Sequence, residues 1–103
     1  MHITPEREAE LSQQRELGSR ASRLLEDPLF REAVEAIRNE CRRSFETSKV
    51  DDDRGRLIAR LKVDALEDVI SKLVVHVRRG IMATDDLSLW ETFREKMGKR
   101  KVS

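Results

Sequence analysis

From Asp51 to Ala83 the chain contains no proline, and its apolar residues recur at helical spacing. Ile58, Leu61, Ala65, Val69, Leu73 and Val77 form one stripe, and Val63, Leu66, Ile70, Val74 and Ile81 form a second beside it. A helix with one neighbour needs an apolar stripe roughly 100° wide, so two adjoining stripes ask for two neighbours. At about 1.5 Å per residue such a helix is on the order of 45 Å long. A globule of 103 residues does not comfortably cover that length. Part of the face is therefore expected to meet a second copy of the chain or a partner. Val63, Ile70 and Val74 are the positions assigned to that oligomer interface.

Start and stop signals divide the rest of the chain. Thr4-Pro5 offers a hydroxyl N-cap followed by proline at the first helical position, with Glu6 in the first turn. The helix it opens is apolar only at Leu11, Leu17, Ala21, Leu24 and Leu25, and Gly18 interrupts it. Glycine inside a helix costs about 1 kcal/mol relative to alanine. The part before Gly18 is expected to be loosely held and the part after it to dock. Asp27-Pro28 repeats the start signal, because the residue before a proline is pushed out of the α region. The second helix carries Phe30, Ala33, Val34, Ile37, Cys41, Ser44 and Phe45 on one face, with Arg31, Glu35, Arg38, Asn39, Arg42 and Glu46 opposite.

The joint at Thr47 to Asp53 is short, which favours antiparallel neighbours. Gly80, with Arg78 and Arg79 before it, reads as the end of the long helix, and Thr84 with Asp85 and Asp86 reads as the cap of another. Gly98 reads as the stop of that last helix. The expected fold is all-α. A long antiparallel helical hairpin, with helices at about 28–47 and 52–82, is flanked by an N-terminal helix at about 5–25 and a short C-terminal helix at about 85–97. Residues 1–103 read as a single helical domain, flexible at 1–10 and 99–103.

Charged residues make up 40% of the chain and nearly cancel, leaving a net charge of +1. No global field drives binding to a nucleic acid or an anionic membrane. The exception is local: from Arg94 to Ser103 five basic residues face one acid. The residues available to a phosphate backbone are Arg94, Lys96, Lys99, Arg100 and Lys101, giving a sequence-independent, salt-dependent contact with DNA. Apolar runs fall far short of the ~20 residues needed to span a bilayer. The first ten residues carry no apolar signal-peptide core. With one cysteine, the expectation is a soluble protein of a reducing compartment such as bacterial cytoplasm, with no membrane partner.

Nothing in the sequence assembles a reaction. Asp51, Asp52 and Asp53 lack the alternate-residue spacing of a calcium loop and suit a helix N-terminus, whose dipole favours carboxylates. His76 has only His2 as a possible companion ligand. Cys41 lies on the apolar face of the second helix, where a thiol is inert, and no base accompanies it. The expected chain is not an enzyme and needs no metal or cofactor. Leu89, Trp90, Phe93 and Met97 form an aromatic patch that either closes the end of the core or anchors a partner protein.

The pattern Arg20-Ala21, Leu24-Leu25, Asp27-Pro28, Phe30 and Glu32-Ala33 resembles the opening of a group of short tailed-phage helical proteins. The resemblance continues through Phe45 to Thr47, Asp53, Gly55-Arg56, Leu61, Lys62, Leu73, Val77, Gly80 and Ala83, covering about Arg20 to Ala83. It implies a gene near the phage head and DNA-packaging genes. The expected product is an oligomerising assembly or packaging accessory whose partners are itself, another phage protein and DNA, located in the host cytoplasm or the virion. The alternative is a small adaptor that binds a host or phage protein through the Trp90 patch.

Overall fold

The computed structural model describes residues 3–47 and 53–102, the last five of these by backbone alone. The described residues form three helices and no strand: α1 (Pro5–Glu26), α2 (Pro28–Thr47) and α3 (Asp53–Val102).

Both proline-led starts are visible at atomic level. The Thr4 hydroxyl accepts a hydrogen bond from the Arg7 amide at 3.1 Å. The Asp27 carboxylate accepts from the amides of Leu29 and Phe30 at 2.9 and 3.1 Å. Each satisfies amides that a helix start otherwise leaves without partners. The two acids of the expected joint that precede α3, Asp51 and Asp52, lie outside the described residues, as do Lys49 and Val50.

The expected break between a long helix at 52–82 and a short one at 85–97 does not occur. α3 passes through Gly80, Thr84 and Gly98 as one element of 50 residues. The Thr84 hydroxyl, read as a cap, donates instead to the Gly80 carbonyl at 2.8 Å, four residues back within the same helix. Serine and threonine make this inward bond when the backbone around them stays helical. Gly80 has no positive φ, so it is not the left-handed residue of a helix end. It is a packing glycine, and Gly18 is its partner.

The chain divides into two compact units, with α3 contributing to both. One unit holds the described residues up to Ser22 together with those from Val74 onward. There α1 and the end of α3 run antiparallel. Gly18 abuts Gly80, Leu11 clusters with Ala83 and Leu87, and Glu8 pairs with Arg94. α1 is anchored on both sides of Gly18: before it Leu11 is 2% exposed with Ile3 packed against its cluster, and after it Ala21 is 5% exposed, though Leu24 is 43% exposed. The physical reason is the glycine itself. Without a Cβ at 18 or 80 the two backbones approach closely, and the large Leu11 side chain is enclosed one crossing away.

The other unit holds the described residues of Arg23–Leu73. Val34 and Cys41 of α2 and Ala59 of α3 are its buried residues. Arg38 donates to the Glu67 carboxylate at 2.9 Å, and Lys62 lies 4.0 Å from the Glu40 carboxylate. Both pairs are exposed on both sides, so they fix register more than they add stability. Among the described residues of both units, buried positions are dominated by small side chains: Gly18, Ala21, Cys41, Ala59, Gly80 and Ala83. Close backbone approach through small residues leaves only Leu11, Val34 and Leu87 buried among the bulkier apolar side chains described.

Candidate functional site

The three positions assigned to an oligomer interface are half-buried within their own chain. Val63 lines a groove of about 300 Å³ with Cys41, Phe45 and Glu67. Ile70 lines another of about 390 Å³ with Leu25, Phe30 and Val34. Val74 is half-buried as well. Of the two stripes on the first part of α3, α2 takes the one containing Val63, Leu66 and Ile70. Of the other, Ile58, Leu61 and Val69 are exposed, Leu61 to 58%, as is Leu57 beside them, while Leu73 and Val77 further along are half-buried. These four exposed residues sit at i, i+1, i+4 and i+12; Leu57 and Leu61 lie opposite buried Ala59, and Ile58 and Val69 lie on the flank between. Leu57 belongs to neither stripe as read from sequence, although its four-residue spacing from Leu61 was the available signal.

The charges around this face are mixed in sign. Asp53, Arg54 and Arg60 precede or flank Leu61, and Asp64, Asp68 and Lys72 follow it, all exposed. Asp68 pairs at 3.5 Å with Lys72, one turn further along the same helix. The hydrogen bond that Arg38 donates to Glu67 holds the Arg38 guanidinium above its ordinary range.

In the other unit, Leu89, Phe93 and Met97 follow at four-residue intervals, and all three are exposed, Leu89 to 70%. Trp90 is half-buried, and its ring meets Phe93 edge to face, with centroids 5.8 Å apart and planes at 85°. Such pairs contribute about 0.5–1.5 kcal/mol beyond the area they bury. The patch is thus divided: Trp90 leans on the protein and Leu89 projects away from it.

The basic end is divided too. Arg94 donates two hydrogen bonds to the Glu8 carboxylate, at 3.0 and 3.5 Å. That bond holds its guanidinium above the ordinary range. Lys96 is exposed. The side chains of Lys99, Arg100 and Lys101 lie outside the described residues, though the α3 backbone reaches Val102.

Among the described residues no group of three or more His, Cys, Asp or Glu side chains converges as a metal site. Cys41 is a buried free thiol, 2% exposed. His76 is half-buried, and its backbone carbonyl lies beside Gly18. His2 lies outside the described residues. No described helix is long and apolar enough to cross a membrane. Compared with known protein families, curated proteins and solved structures, the chain matches none.

Proposed function

We propose that this chain is a non-catalytic accessory of phage assembly or DNA packaging that self-associates through its long helix. In this reading α2 and the first part of α3 act as an antiparallel hairpin scaffold, and the basic C-terminal end touches DNA or another virion protein. The observation that supports it most is that Leu57, Ile58 and Leu61 are bulky, adjacent and exposed on α3, with exposed Val69 about two turns further on. Contiguous apolar surface of this kind marks interaction sites in water-soluble folds. The phage setting comes from the resemblance over residues 20–83 and from nothing else.

Light scattering on the full chain at tens of micromolar tests the reading. A multiple of the monomer mass of 12.0 kDa is expected. A folded monomer at that concentration would exclude self-association and leave the second reading, an adaptor that binds another protein through the Trp90 patch. The exposure of Leu89, Phe93 and Met97 beside the half-buried Trp90 favours that alternative. Replacing Leu89 and Phe93 by serine would then abolish partner capture without changing the mass.

A further inference from the structure

We propose that the stretch of α3 centred on Met82 docks antiparallel on the same stretch of a second copy. Met82 then lies at the two-fold axis, with Arg78 and Arg79 of each copy facing Asp86 and Asp85 of the other. The inference rests on the self-association reading and locates its seam beyond the Leu57–Leu61 cluster. Around Leu61 acids and bases are mixed and favour no partner, whereas around Met82 they are sorted.

A residue advances about 100° around a helix, so positions two apart look in nearly opposite directions. Gly80 and Leu87 are buried on the α1 side of the helix, at the Gly18 contact and in the Leu11 cluster. Met82 and Leu89, two residues beyond each, point away from α1 and are exposed, Met82 to 66%. Half-buried Val75, seven residues before Met82, stands on the same line. Val75, Met82 and Leu89 thus form an apolar ridge on the side of the helix that α1 leaves open, wholly within one compact unit.

Four exposed charges flank the ridge. Arg78 and Arg79 lie four and three residues before Met82, and Asp85 and Asp86 lie three and four after it. None of the four has an opposite charge three or four residues away, the spacing at which a helix pairs its own side chains. Among the described residues none of them makes an ion pair, although Asp85 lines a groove with Arg15 of α1.

The order of these charges selects the occupant. A polyanion or an acidic peptide along the ridge would meet Asp85 and Asp86, and a basic peptide would meet Arg78 and Arg79. A parallel second copy would set like charge on like. An antiparallel copy sets each end against its opposite, and complementary charge of this kind fixes orientation and register. A two-fold axis at Met82 pairs positions equally distant from it: Arg78 with Asp86, Arg79 with Asp85, and Val75 with Leu89. Each pairing occurs twice, and no like charges meet. A contact between identical patches is the form that closed homodimers take. The ridge is short and its charges are exposed, so the dimer is expected to be weak and to loosen with salt.

Sedimentation equilibrium of the full chain in low salt, with helicity followed by circular dichroism, tests the seam. The double variant Arg78→Asp/Arg79→Asp flanks the ridge with acids alone, and Asp85→Arg/Asp86→Arg flanks it with bases alone. Each by itself should raise the dissociation constant about tenfold or more, because like charges then face each other. An equimolar mixture of the two should restore a dimer to within about threefold of the parent, because the acids of one meet the bases of the other. Mild oxidation of Met82→Cys should give a covalent dimer joined at position 82 in both copies. Glu91→Cys, nine residues away and on the opposite side of α3, should give none. If the parent associates while neither reversal weakens it, or if the mixture fails to recover, the seam is wrong and association lies elsewhere. A parent that stays monomeric at tens of micromolar overturns both the seam and the self-association it rests on.

Discussion

Gly18 and Gly80 meet backbone to backbone. A Cβ placed on Gly18 would fall 2.7 Å from the Gly80 Cα and 2.8 Å from the His76 carbonyl oxygen; one on Gly80 would fall 2.8 Å from the Gly18 Cα. Both obstacles are backbone, which cannot swing aside as a flexible side chain would. Exchanging glycine for alanine within a helix ordinarily gains about 1 kcal/mol. Here the sign is expected to reverse. Gly18→Ala or Gly80→Ala should cost about 1–3 kcal/mol, the usual range for overpacking. Thermal unfolding by circular dichroism would show it, and a midpoint at or above the parent's would mean that the two helices separate without penalty.

Leu11→Ala should be among the most damaging truncations of α1. Its side chain is enclosed by Ala83, Leu87 and Ile3, and removing such a residue costs about 2–5 kcal/mol. Leu24→Ala, at an exposed position, should fall within about 0.5 kcal/mol of the parent. Denaturant titration of the pair compares the two positions directly. Equal losses would mean that Leu11 is no better enclosed than Leu24.

Asp27 closes α1 and opens α2, and its carboxylate accepts two amide hydrogen bonds. Asp27→Ala should cost about 0.5–2 kcal/mol, whereas Asp27→Asn, which keeps an acceptor oxygen, should retain most of the stability. Chemical denaturation of both variants separates the acceptor from the charge. An asparagine variant as weak as the alanine one would assign the effect to the carboxylate's charge near the α2 dipole.

Binding to duplex DNA, if the basic end supplies it, should ignore sequence and fall steeply with salt. With Arg94 held by Glu8, the residues left for phosphate are Lys96, Lys99, Arg100 and Lys101. At about −0.9 per contact, four contacts give a slope of log affinity on log salt near −3.6. Deleting residues 99–103 should flatten that slope by roughly 2.7, with helicity nearly unchanged. Titration by fluorescence anisotropy at several salt concentrations would measure it. An unaltered slope after the deletion would move the contact off this end of the chain.

The starts of α1 and α2 were legible because their signals act within one turn: Thr4 and Asp27 need only their own amides and the prolines beside them. All-α architecture was legible for a similar reason, since apolar spacing of three and four recurs throughout. The break expected between Gly80 and Thr84 used the same grammar and failed, because Gly18, more than sixty residues away, decides what Gly80 is for. Local signals cannot report a partner that arrives from another helix. The choice between the two stripes of α3 was hidden likewise. Val63 and Leu61 are comparably apolar, and only the arrival of Val34 and Cys41 determines which side is covered.

The inward bond of Thr84 to the Gly80 carbonyl has a dynamic consequence. Residues 80–86 spell a stop and a restart, and the helix passes through them on borrowed support from α1. Its continuity there is conditional, whereas the stretch from Ile58 to Ile70 contains neither a glycine nor a capping sequence. In hydrogen exchange, loosening α1 by Gly18→Ala should quicken the amides of 80–86 first and leave those of 58–70 at the parent's rate, so that α3 opens at one foreseeable point.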